Sequence, residues 1–313
     1  MAEALELESE LRCGVMLAGA GRADVLRLAQ RIESGGFDSI FVGDHVAFHV
    51  PILESLTLLS FLAAATERVT LGTAVYLLPL RHPTTTAKTS STLDVLSGGR
   101  LVLGVGVGGE FPPEFEASGV PVGERGTRTD EAIEVLRQLW SGEPTLHRGR
   151  HFAFGPVALS PTPVQPGGPP IWVGGRRAPA WRRAGRSGDG YISHMASPEM
   201  YSDQLSRIRQ HAAQSARPSR RFTTAALLFT ALADDYEQAL DRAASGLERI
   251  YRVPFREAAA RYCLLGRPED CLERLRQFAA SGVRHFVLSP LGEPQEFVER
   301  VSEAILPELG GLL

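Results

Sequence analysis

Cysteine is scarce in this chain of 313 residues, which holds only Cys13, Cys263 and Cys271. The number is odd and no two stand in C-x-x-C spacing, so a disulfide framework and a thiolate zinc cluster are excluded and a reducing cytoplasm is expected. Lysine is rarer still: Lys88 is the only one among 33 lysines and arginines. With a formal net charge of -3, the chain offers no basic stripe of the kind a nucleic-acid partner demands. Long apolar runs are missing too. The longest, around Ala225 to Ala233, is interrupted by Thr230 and falls short of a membrane span. The opening MAEALELESELR is acidic and lacks the basic-then-apolar pattern of a secretory signal. These absences leave a cytoplasmic protein with a small-molecule substrate, no nucleic acid, no membrane and no metal.

What is present is an ordinary globular composition, 43% hydrophobic and 22% charged. A chain of this length buries about 75% of the surface that its unfolded form exposes. Strand-like segments recur at Arg12 to Ala18, Asp38 to Asp44, Val69 to Val75, Arg100 to Val107, Ile171 to Gly174, Gly190 to Ser193, Ala225 to Ala233 and Val283 to Ser289. Helical periodicity follows each of them, and a further helix over Pro268 to Ala280 precedes the last strand. Ser34-Gly35-Gly36 and Ser281-Gly282 end helices, because glycine accepts the left-handed conformation past the cap without a Cβ penalty. Pro198 and Pro268 stand at helix starts, where a missing N–H costs nothing. Eight such repeats predict one α/β domain over residues 1–313, a (β/α)8 TIM barrel. The length beyond about 250 residues is placed in insertions after strand four: Glu110 to Gly123, and a hairpin and lid over Gly142 to Pro170 that carries Phe152 and Phe154.

Gly104, Gly106 and Gly109 match a G-x-G-x-x-G dinucleotide fingerprint, but Phe111-Pro112-Pro113 follows where a helix amino terminus is required. The first two alternate with Val105 and Val107 inside the strand and read as sites of close backbone approach.

In a barrel the carboxyl ends of the strands define the site. Strand two exits through Asp44-His45, an acid and an imidazole suited to proton transfer and to orienting a polar ring. The alternative is that Asp44 caps a turn and His45 packs on the surface. Strand three is followed by Arg81-His82-Pro83, where Arg81 contacts a ligand or pairs with a carboxylate. Strand four exits through Val107-Gly108-Gly109-Glu110. Paired glycines let a planar ligand lie against the backbone, with Glu110 as acid, base or acceptor, or else as a solvated glutamate. Strand five exits through Gly174-Gly175-Arg176-Arg177 into a helix. Free N–H groups and guanidinium charge there make an anion site suited to a phosphate. Arg182, Arg183 and Arg186 read as the solvated face of that helix.

The blocks VGDH, LGTAVYLLPLRHP, AKTSSTLDVLSGGR, LGVGVGG, PPIWVGG and RRAGRSGDG together resemble the luciferase-like monooxygenase family of flavin-dependent oxidoreductases, over nearly the whole chain. The resemblance implies a TIM barrel that binds FMN or the deazaflavin coenzyme F420 at the strand exits. It implies a cis peptide at Ala74-Val75 behind the flavin ring, Asp44 at the ring's polar edge, and His45 as the proton-transfer residue, with Glu110 as a second catalytic residue. Val107, Gly108 and Gly109 then approach the cofactor, and Gly174, Gly175 and Arg176 hold its phosphate. An aromatic that often follows the Asp-His pair is replaced here by Phe48 and His49 nearby. The expected function is hydride transfer between a small organic substrate and F420. The alternatives are an FMN-dependent monooxygenase, which would draw reduced flavin from a reductase and act on an apolar substrate, and a non-catalytic flavin-binding protein. A metal-dependent barrel hydrolase would need a His-x-His pair on an early strand, and Cys13-Gly14-Val15-Met16-Leu17 has none. A homodimer is implied by analogy with the family.

Overall fold

Eight parallel strands close into a barrel: β1 (Arg12–Met16), β2 (Ser39–Val42), β3 (Thr70–Thr73), β4 (Leu101–Gly106), β5 (Ile171–Gly174), β6 (Gly190–His194), β7 (Arg220–Leu232) and β8 (His285–Pro290). Each pairs with the next in sequence, and β8 closes the ring by pairing with both β7 and β1. The structure is a computed structural model that describes residues 4–17 and 21–313. Ala18, expected as the last residue of the first strand, lies outside the described residues.

The helices on the outer face are α1 (Arg22–Ser34), α2 (Ser55–Ala65), α3 (Pro83–Leu96), α4 (Arg125–Trp140), α5 (Ala178–Ser187), α6 (Pro198–Ala213), α7 (Tyr236–Tyr251), α8 (Pro268–Ala280) and α9 (Pro294–Ala304). Their starts have chemical causes. Pro83, Pro198 and Pro268 all open helices, and Ser197 Oγ caps α6 by accepting from the Met200 N–H. β4 is buried along its whole length, as a parallel strand covered on both faces must be.

Two large apolar cores follow from this closure, beside a small cluster of Leu77, Leu80, Phe115 and Val120. One fills the layer between helices and strands, with Ile32, Leu59, Leu103, Leu136 and Phe278 among its members. The other fills the barrel and runs on under α7. In its lower part Phe41 stacks on Trp172 at 5.4 Å, and His285 meets both rings edge-on. His285 Nε2 also sits 2.7 Å from Ser39 Oγ. Burial holds this imidazole neutral, pushed down to about 3, with the Arg12 charge adding to the effect.

Several elements differ from the sequence expectation. β7 starts at Arg220, earlier than expected, because Leu5–Leu7 adds alongside Arg220, Arg221 and Phe222 as an extra parallel strand. The third strand breaks after Thr73: the Ala74-Val75 peptide is cis, and pairing with β4 resumes at Tyr76–Leu77. Arg183 is buried rather than solvated, because its Nε donates to Asp130 and its Nη2 to the Gly126 carbonyl, tying α5 to α4. The close-approach reading of the strand glycines is matched by the packing. A Cβ at Gly104 would stand 1.9 Å from the Thr73 carbonyl oxygen.

The 142–170 segment contains an antiparallel hairpin, Thr145–Arg148 with Ala153–Val157. It leaves the bottom of the barrel after α4 and climbs the outer wall. Near its tip the backbone N–H groups of His151 and Phe152 donate to Glu131, and Phe152 packs under Arg128 and against His82. On the return the Ser160 carbonyl accepts from Lys88, and the N–H groups of Val164 and Gln165 donate to Asp94. These contacts lie on the outer faces of α3 and α4, so the segment straps the two helices together.

Candidate functional site

The exits of β2, β3, β4 and β5 meet around Val75. Its side chain turns inward over the barrel, where a Cβ at Gly106 would stand 2.2 Å from Val75 Cγ2 and one at Gly174 would stand 2.6 Å from Val75 Cγ1. Two neighbouring strands are thus bare of side chains at this level, and a branched aliphatic group forms the floor between them. Asp44 anchors the bulge from the other side. Its carboxylate is buried and accepts two donors on each oxygen. Oδ1 takes Arg81 Nη2 at 2.8 Å and Ser55 Oγ at 3.2 Å, and Oδ2 takes Arg81 Nη1 at 2.6 Å and the Leu77 N–H at 2.8 Å. Arg81 therefore pairs with a carboxylate, in a two-pronged geometry that adds orientation to charge. His82 does not face this site: it caps α3 by accepting from the Thr84 N–H.

His45 stands beside this anchor with its side chain 17% exposed. Its Nδ1 lies 3.1 Å from both carboxylate oxygens of Glu114, which also accepts the Val46 N–H at 3.1 Å. Glu114 is fully buried in the short helix Pro112–Ala117. A carboxylate can only accept, so Nδ1 carries the hydrogen of this contact. Nε2 has no partner among the described residues. Phe48 lies flat on the imidazole, with centroids 3.9 Å apart and planes 13° from parallel.

The exit of β4 turns through Gly108 at φ 57° and Gly109 at φ 112°, with Val107 before them half-buried and Glu110 after them exposed. Glu110 makes no hydrogen bond among the described residues. At the exit of β5, Gly175 has φ 143° and a Cβ there would stand 2.6 Å from the Ala180 Cβ. Only glycine fits. Arg177, the N-cap of α5, makes no side-chain bond to the first turn. Arg176 and Arg177 are exposed, and neither pairs with an acid among the described residues.

Three groups at the mouth were not expected from the sequence. Glu114 lay within an insertion, and the only signal for it was an acid directly before an apolar Phe115 in a Pro-Pro-initiated turn. His194 ends β6, one residue past the expected strand. Burial, reinforced by the Arg176 charge, pushes its imidazole down to about 4, so it is neutral. Tyr251 ends α7. Burial, with the Glu110 charge adding and Arg176 opposing, pushes its phenol up to about 12. Both shifts place Arg176, and that of Tyr251 also places Glu110, within electrostatic reach of the mouth. The arrangement can seat a flat ring on Val75 between bare backbones, hold an anion at Gly175-Arg176, and pass a proton at His45 Nε2.

Residues 8–310 match the model of the family described as luciferase-like monooxygenase. An F420-dependent glucose-6-phosphate dehydrogenase from Microbacterium testaceum is 30% identical over 321 residues, covering 92% of this chain and 94% of its own. Among solved structures, an F420-dependent secondary alcohol dehydrogenase in complex with an F420-acetone adduct superposes with a TM-score of 0.86 at 21% identity, covering 96% of this chain and 99% of that one. The monooxygenase RslO1 from Streptomyces bottropensis gives a TM-score of 0.83 at 25% identity, over 95% and 99%.

Proposed function

Because this chain belongs to the luciferase-like monooxygenase family, we propose that it is an F420-dependent oxidoreductase exchanging a hydride with the carbinol or carbonyl carbon of a small organic substrate. The observation that carries the proposal is the buried Glu114 holding His45 by Nδ1, one strand away from the Val75 floor. The residues fit the cofactor by chemistry. Gly108 and Gly109 offer backbone without side chains next to Val107, Ala74 and Val75 back the ring, and Gly174, Gly175 and Arg176 offer N–H groups and a cation with no acid paired to it among the described residues for its phosphate. When bound, the deazaflavin supplies the ring carbon that takes or gives the hydride.

The chain's own residues do the rest. His45 Nε2 accepts the hydroxyl proton of an alcohol being oxidised, or returns it to a carbonyl being reduced. Glu114 keeps the ring oriented and carries the balancing charge for an imidazolium. Asp44, saturated by internal donors, acts by fixing Arg81 and Leu77 and hence the bulge. Glu110 stands at the rim near Tyr251. Exclusion of water falls to the aromatic side chains around the mouth, since the 142–170 hairpin is bound to the outer wall. The resemblance supports a homodimer, and three buried unpaired thiols support a cytoplasmic setting.

The test is titration of the purified protein with F420 and with FMN, followed by cofactor fluorescence. The expected result is F420 binding at micromolar concentration or below, with FMN at least tenfold weaker. Binding of FMN alone transfers the assignment to the reductase-fed monooxygenases. Binding of neither removes the proposal. Tight F420 binding with no turnover of any alcohol or carbonyl leaves a binding protein.

A further inference from the structure

Beside His45 the mouth is built of aromatic rings from separate parts of the chain. Phe48 and His49 follow β2, Phe111 follows β4, Phe229 stands on β7, Tyr251 ends α7 and Phe255 follows it. They form a connected set. Phe48 meets Phe111 edge-on at 6.0 Å and Tyr251 edge-on at 6.3 Å. His49 meets Phe111 at 4.8 Å, and Tyr251 meets Phe229 at 6.4 Å and Phe255 at 5.1 Å. Rings assembled from four separate parts of the chain, several of them part-exposed, offer flat apolar area at low conformational cost. Phe48 itself shows that a flat ring lies well against the His45 imidazole.

The polar groups that reach this rim are few. The Tyr251 hydroxyl has no partner among the described residues and is held as a phenol, so it can donate to a ligand oxygen. His194 is neutral. Arg176 and Glu110 are the charges that reach Tyr251, and they oppose one another. Arg81 is spent on Asp44, and the sole lysine, Lys88, on the Ser160 carbonyl of the outer wall. A dianionic substrate would compete with the cofactor phosphate for Arg176 and its neighbour Arg177, while Arg125, which lies behind Gly109, donates to the Val122 carbonyl.

We infer that the substrate is a neutral alcohol or its carbonyl counterpart carried on a flat, apolar body, aromatic or alicyclic, in preference to a phosphorylated sugar. The inference rests on the F420 reading for its chemistry. The carbinol C–H bond breaks with its electron pair passing to the deazaflavin, and the O–H proton passes to His45. The carbon–oxygen double bond forms as the alcohol loses two electrons and the deazaflavin gains them. The rings of Phe48, Phe111 and Tyr251 cover the apolar body.

Two measurements test it. The first needs no cofactor: NMR line broadening of acetophenone and of glucose 6-phosphate by the full-length protein, with and without F420. Acetophenone is expected to bind at millimolar concentration or below, with glucose 6-phosphate at least tenfold weaker. The second compares kcat/KM for 1-phenylethanol and isopropanol with F420. The phenyl compound is expected to lead by about 10- to 100-fold, the effect of burying one ring. Phe48→Ala and Phe111→Ala are each expected to cut that lead about tenfold through KM, and Phe48→Tyr to restore it. Preferential binding of glucose 6-phosphate overturns the inference. So does a phenyl-to-methyl ratio that neither alanine variant moves. Failure of F420 to bind while acetophenone still broadens strikes the cofactor reading and leaves the aromatic site standing.

Discussion

Replacing Glu114 by glutamine alters one atom of a fully buried side chain and keeps its volume, yet it should be among the most damaging changes at the mouth. The carboxylate accepts from two donors, His45 Nδ1 and the Val46 N–H, with all three contacts at 3.1 Å. Glutamine keeps one acceptor oxygen, which at the Oε2 position still takes both donors, but it turns an N–H group toward His45 Nδ1 at the other position. It also turns charge-assisted bonds, worth about 1.5 to 3 kcal/mol each, into neutral ones of about 0.5 to 1.5. The loss for the pair is therefore about 2 to 3 kcal/mol. The part that matters for catalysis is the part felt when His45 carries the proton. If most of it is expressed there, kcat falls by about 10- to 100-fold. The cofactor cradle at Gly108, Gly109, Gly175 and Arg176 does not touch Glu114, so F420 affinity should stay within about twofold. The assay is steady-state reduction of F420 with a turned-over alcohol, run beside equilibrium binding of F420. A kcat within twofold of the parent, or a loss of F420 affinity matching the loss of kcat, would refute the reasoning.

Asp44→Ala should destabilise the fold by about 3 to 5 kcal/mol, because it leaves the largely buried Arg81 guanidinium without its counter-charge, and urea unfolding measures this. Gly106→Ala and Gly174→Ala each drive a methyl into Val75, and overpacking of this kind costs about 1 to 3 kcal/mol; F420 titration should show a weakened complex while far-ultraviolet circular dichroism stays that of the parent. Stability should also fall as the medium is acidified. His285 and His194 are neutral in the fold, at about 3 and about 4, whereas an unfolded imidazole takes up a proton below about 6.5. Between those values the unfolded chain binds more protons, so each histidine removes roughly 1.4 kcal/mol per pH unit as pH drops. His285→Gln should make the measured slope shallower by about one proton, and an unchanged slope would count against the assignment.

Much of the barrel could be read from one-dimensional pattern because its causes are local. Apolar runs of strand length, prolines at the first helical turn and glycines past the last turn mark where each element starts and stops whatever it packs against. The same holds for Gly174-Gly175-Arg176, where backbone freedom and charge stand next to one another along the chain. The cis bond at Ala74-Val75 was legible only through resemblance, since nothing in the local residue types demands it.

What the sequence by itself determined was thus the eight-fold alternation and the residues that stand at the strand exits: Asp44, His45, Gly108, Gly109, Gly175 and Arg176. What only the tertiary structure decided was which partners each of them meets. Asp44 turned inward because Arg81, Ser55 and the Leu77 N–H converge on it from three segments. His45 acquired its partner from Glu114, 69 residues away, and the aromatic rim joined loops that sequence distance keeps apart. The 142–170 hairpin went to the outer wall because Glu131, Arg128 and Asp94 hold it there. Burial, charge pairing and ring packing depend on distances between segments. Those distances exist only once the barrel has closed.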